Sequence, residues 1–79
     1  MPNEIYDNLF LTPRETEIYN LLLEGLNVKE IAKKLYLSNF TVATHRISIY
    51  QKKGVNSIQQ LLAKRINELE ETVRELQAA

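Results

Sequence analysis

Apolar side chains recur along this chain at the spacing of one helix face, interrupted at regular intervals by caps and glycines. Ile18, Leu21 and Leu22 share a face in the first run, and Ile31, Ala32 and Leu35 share one in the second. Val42, Ile49 and part of His45 form the inward side of a third run. A fourth run, Leu62, Ile66, Leu69, Val73 and Leu76, advances by four, three, four and three residues. That is a heptad seam, with Ile66 and Val73 at a and the leucines at d, a combination that favours a two-stranded parallel coil. No strand-like alternation persists over a useful length, so the pattern predicts an all-α chain of four helices.

Local chemistry marks where those helices begin and end. Thr12-Pro13-Arg14-Glu15 combines a capping threonine, proline at the first helical position and a glutamate able to bond back to the cap. Gly25 is placed to stop that helix in a left-handed conformation. Asn27 with Glu30 repeats the capping device for the second helix, and Ser38 or Asn39 caps the third, which Gly54 ends. Ser57 with Gln60 opens the last helix, and no Gly or Pro follows to the end of the chain. Residues 1–10, with Ile5, Tyr6, Leu9 and Phe10, form either an N-terminal arm or a short helix.

Only Tyr36-Leu37-Ser38 separate the second helix from the third. So tight a connection suits the angled pair of a helix-turn-helix, here from about Val28 to Lys53. Ala32 is small where the two helices must approach. A small helical bundle using the same spacing for packing alone is the alternative.

Length and composition narrow the class without naming a task. Seventy-nine residues, 44% hydrophobic and 25% charged, make one small soluble globular domain. There is no cysteine and one histidine, so neither a disulfide framework nor a metal site is expected, and no cofactor. No apolar run approaches the ~20 residues needed to span a bilayer and no leader opens the chain, so a cytoplasmic protein without membrane contact is expected. Net charge is zero, yet its distribution is uneven. From Thr12 to Ser57 seven basic residues stand against four acidic, whereas both ends are acidic on balance. The basic surplus lies where a DNA footprint would have to be.

Against that background the residues become familiar. Leu11-Thr12-Pro13-Arg14-Glu15, Glu24-Gly25-Leu26, Lys29-Glu30-Ile31-Ala32, Leu35, Leu37-Ser38, Thr41-Val42, Thr44-His45-Arg46, Ile49 and Gly54-Val55 follow in order and without gaps. Together they resemble the LuxR-type, or GerE-type, helix-turn-helix domain of bacterial transcription regulators, over Leu11 to Leu62. The resemblance implies four helices, the third in the major groove of DNA and the fourth pairing two copies. Many members resembling it carry an N-terminal sensor or receiver domain; this chain has none, so a freestanding form is expected. Three departures stand out: Ala43 where a cation is common, Lys53 where leucine is common before Gly54, and the bulky Phe40 and Ile47 on an outward face.

The reading that follows is a dimeric, sequence-specific regulator of double-stranded DNA. Its helix-turn-helix domain spans 11–62, and its last helix, 57–79, is extended for dimerisation as a short coiled coil. Asn, Gln and Arg can bond base edges, and Ala, Thr and Phe suit thymine methyls. Phe40, Ala43, Thr44, Arg46 and Ile47 are the candidates for base contact, with Gln51 on the same outward side. Asn27, Lys29, Thr41, His45 and Lys52 are candidates for phosphate, His45 having the alternative of packing against the first helix. Ile58, Leu62, Ile66, Leu69, Val73 and Leu76 are the candidates for dimerisation, aided by Leu61. Tyr19, Tyr36 and Tyr50 are expected at the core edge. No serine, cysteine or paired-carboxylate constellation surrounds His45, which argues against an enzyme. The competing function is an adaptor of helix-turn-helix shape that binds RNA polymerase or another regulator, a reading kept open by the neutral charge, Ala43, Phe40 and Ile47.

Overall fold

The computed structural model describes residues 10–78, which form four helices and no strand. They are α1 (Pro13–Leu23), α2 (Val28–Leu35), α3 (Asn39–Lys53) and α4 (Ile58–Ala78). The expectation for the N-terminal arm falls on residues outside the described part, apart from Phe10, which is non-helical and exposed. No helix among the described residues is long and apolar enough to cross a membrane.

The caps form as their residue types dictate. Glu15 N–H donates to Thr12 Oγ1 at 3.1 Å while Thr12 N–H donates to Glu15 Oε1 at 2.8 Å. Asn27 and Glu30 make the same reciprocal pair at 2.9 and 2.8 Å. Ser38, not Asn39, caps α3, accepting from Thr41 N–H at 3.0 Å. At α4 the exchange is altered: Gln60 N–H donates to Ser57 Oγ, but Gln60 Oε1 reaches back to Asn56 N–H.

Three helices end in the same way, with a left-handed residue followed by an N–H that spans back five residues. Leu26 N–H reaches Leu21 O past Gly25, and Val55 N–H reaches Tyr50 O past Gly54. Leu37 N–H reaches Ala32 O past Tyr36, the one described non-glycine residue with positive φ, at 58°. Tyr36 was expected at the core edge. Its position at the cap of α2 instead turns the side chain outward, 95% exposed. Because a left-handed tyrosine is strained by ~1 kcal/mol or more and touches little, Tyr36→Gly should keep or slightly raise the melting midpoint. A clear fall would mean that the ring contributes to the fold.

The core joins Ile18, Tyr19, Leu21 and Leu22 of α1 to Ile31 and Ala32 of α2 and to Val42 and Ile49 of α3. Val55 and Leu61 close it. α3 packs against both α1 and α2, so its inward face is fixed from two sides. Beyond Leu61 the apolar side chains of the long α4, ~31 Å at 1.5 Å per residue, lie outside this core. Leu62, Ile66, Leu69, Val73 and Leu76 are all exposed.

Two residues expected at the dimer seam pack inward within the single chain. Ile58 is half-buried and packs against the core of its own chain, and Leu61 is wholly inside it. Both lie within the first turn of α4, which is the part the small core can cover.

Candidate nucleic-acid interface

The outward side of α3 is set by its inward side. Val42 and Ile49 are seven residues apart and wholly buried, which leaves Phe40, Thr44, Ile47 and Gln51 on the opposite stripe, all exposed. Asn39 is exposed at the start of the helix, and Thr41, Ala43, His45 and Arg46 are half-buried on its flanks. Of the five candidates for base contact, Phe40, Thr44 and Ile47 therefore share one face, with Ala43 at its border.

Arg46 does not lie on that face. Four residues after Val42, it emerges beside the core, and its Cζ lies 5.9 Å from the centre of the Tyr50 ring, within reach of a cation–π attraction. Its Nε is buried without a hydrogen-bond partner, in a cleft of about 240 Å³ walled by Leu22, Leu26, Val28, Tyr50 and Ile58. Arg46, expected among the base contacts, thus lies on the flank of α3 rather than on the stripe of Phe40, Thr44 and Ile47.

Lys52 is also diverted. Its Nζ donates to Glu15 Oε1 at 2.6 Å, and Ser48 donates to Glu15 Oε2 at 2.6 Å. Glu15 is only 3% exposed. Burial alone would raise its carboxyl pKa, but the bonds from Lys52, Ser48 and the Thr12 backbone outweigh burial and hold it at about 2. Lys52, expected at phosphate, is thus paired with Glu15 in the structure. Through Glu15, the residue that caps α1 also fastens the middle and end of α3.

Lys53 takes the place where an apolar residue was expected, yet its Nζ stands 4.9 Å from the centre of the Tyr19 ring. The stem covers core edge and the charge meets the ring face, which accounts for a lysine at this position. The phenol of Tyr19 has its pKa raised, first by burial and then by the charge of Glu68 on α4.

The remaining phosphate candidates sit at helix starts and flanks. Lys29 is exposed in the first turn of α2. Asn27 is exposed but its Oδ1 is occupied by the cap, and Thr41 Oγ1 accepts from Ser38 Oγ at 2.8 Å. Thr44 Oγ1 donates to Phe40 O at 2.9 Å, so its proton is spent within the helix. Sequence reasoning missed Ser48 and the second role of Glu15. A cap glutamate carries no local sign of partners 33 and 37 residues away. Among the described residues no cluster of His, Asp or Glu could hold a metal ion.

Residues 9–64 match the family described as bacterial regulatory proteins, luxR family (GerE). The Fimbriae Z protein of Escherichia coli K12 is 50% identical over 52 residues, 66% of this chain and 25% of that protein. The Fimbriae Z protein of Salmonella typhimurium is 36% identical over 61 residues, 77% of this chain and 29% of that protein. The spore germination protein GerE of Bacillus subtilis is 38% identical over 69 residues, 85% of this chain and 93% of that protein. The chain thus spans about a quarter of the Fimbriae Z proteins but nearly the whole of GerE. No solved structure gives a significant match.

Proposed function

Because this chain belongs to the luxR family of bacterial regulatory proteins, we propose that it is a DNA-binding transcription regulator that acts as a homodimer and reads the major groove with α3. Members of this family are regulators and not enzymes. The observation that carries the reading is the exposed stripe of α3, presented by a helix that α1 and α2 grip from behind. A protruding helix gripped on its inner side is what entry into a groove ~12 Å wide requires.

In this reading residues 11–62 are the DNA-binding unit and 57–79 the dimerising one. Phe40, Thr44 and Ile47, with Ala43 at the edge, meet bases. Lys29 and the backbone N–H groups of Val28 and Lys29 meet phosphate, since helix geometry leaves those two without intrahelical acceptors while the cap takes that of Glu30. Thr41, His45 and the flanking Arg46 line the neighbouring backbone. Leu62, Ile66, Leu69, Val73 and Leu76 make the seam between two copies.

Rounds of mobility-shift selection from random duplex DNA test this directly. Enrichment of an inverted repeat is the expected result, because a two-fold dimer presents two α3 helices. The exposed Phe40 and Ile47 also favour a second reading, an adaptor that meets protein, such as RNA polymerase, with this face. Failure to enrich any sequence would favour that reading and remove the first.

A further inference from the structure

All three lysine and arginine side chains of α3 are engaged away from its outward face. Arg46 lies against Tyr50, Lys52 is bonded to Glu15, and Lys53 stands over Tyr19. What remains outward through the middle of the helix is apolar, with the polar Asn39 and Gln51 only at its two ends: Phe40 is 80% exposed and Ile47 is 53% exposed. Between them Thr44 donates its only hydroxyl proton to the Phe40 carbonyl, which leaves it no donor to offer a base.

We infer that the chain selects its sites by thymine methyl groups, received by a patch of Phe40, Thr44 and Ile47. This inference rests on α3 being the major-groove helix. Spacing at i, i+4 and i+7 sets the three side chains on one line ~10 Å long, at 1.5 Å of rise per residue. That length matches about three base-pair steps of ~3.4 Å. Guanine is commonly read by a bidentate arginine or lysine, and α3 holds none on this stripe. Among the four bases thymine alone presents a methyl group in the major groove, the natural partner of an apolar side chain there. A phenyl ring and a branched alkyl group left in water regain most when they cover that methyl.

The experiment replaces thymine by deoxyuridine, one position at a time, in the duplex recovered by the selection. Only the methyl is removed and every hydrogen-bonding edge is kept. Each read methyl should be worth about a four-fold loss of affinity, from ~0.8 kcal/mol per buried methyl-sized group. The variant carrying Phe40→Ala and Ile47→Ala should respond less than two-fold to the same replacements. Both side chains are exposed, so an unchanged melting midpoint checks that it folds. Equal affinity of the parent chain for thymine and uracil duplexes overturns the inference and leaves DNA reading by α3 standing. A double variant as sensitive as the parent overturns the assignment to these residues. Absence of any selected duplex overturns both this inference and the reading beneath it.

Discussion

Replacing Glu15 by glutamine is expected to lower the unfolding free energy by about 3 kcal/mol, at the low end for loss of one partner from a buried ion pair. Glutamine keeps the shape and can still accept from Thr12 N–H, so the loss isolates the charge. What it leaves behind is the Lys52 ammonium, only 22% exposed, with no anion to meet it. A domain of this length holds roughly 4–12 kcal/mol in all, at ~0.05–0.15 per residue. The variant should therefore unfold at much lower urea than the parent. Lys52→Met should cost a similar amount by stranding Glu15 instead. A loss under about 1 kcal/mol in both variants, within the range of an exposed pair, would mean that the Glu15 cluster does not hold α3 to α1.

The same site fixes a pH signature. The Glu15 carboxyl is held at about 2 against an ordinary 4.5. Its contribution is therefore present above pH 4.5 and drains away as the pH falls from 4.5 towards 2. The parent should lose about 3 kcal/mol over that interval through this group, by ~1.36 kcal/mol per pKa unit. Glu15→Gln should be correspondingly flatter there.

The second large effect concerns association. With Ile66→Glu and Leu69→Glu together, the chain should sediment as a monomer while keeping its helix content and its helix-turn-helix. Ile66 is 56% exposed and Leu69 is exposed beside it, so neither supports the fold of its own chain. In the dimer they would occupy a and d positions, where facing carboxylates repel and lose their burial. Affinity for a two-half-site duplex should drop by a hundred-fold or more, since linkage of two binding heads commonly contributes ~10²–10⁴. A parent chain that already sediments as a monomer at tens of micromolar would remove the seam from the account.

Much of the fold was legible because it is written in local chemistry. Thr12 with Glu15, Asn27 with Glu30, Ser38, Gly25 and Gly54 each act within a few residues of themselves, and each stands where its chemistry put it. Tyr36 was not legible, because a left-handed stop ordinarily attracts glycine and nothing in a tyrosine announces it. The outward stripe of α3 followed from periodicity, but the direction of its cations did not. Arg46 and Lys52 flank the buried Val42–Ile49 line, and a long flexible side chain there can turn either way. The choice was made by partners remote in sequence, Glu15 and the cleft at Leu22 and Leu26. Ile58 joined the core for a related reason: a heptad count extends backwards indefinitely, whereas the core covers only the first turn of α4.

Affinity for the selected site, measured before and after its half-sites are moved apart by half a helical turn, tests the dimeric reader most directly. Two α3 helices related by a two-fold axis must enter successive major grooves on one side of the duplex. Their half-site centres then lie ~34–36 Å, or ~10–10.5 base pairs, apart. Inserting about five base pairs turns one half-site to the far side of the duplex. α4 runs unbroken from Ile58 to Ala78 and offers no hinge to follow it. Tight binding should be lost, leaving only weak, sequence-indifferent binding. Undiminished affinity after the insertion, or footprint protection of a single unrepeated site, would contradict the dimeric reader.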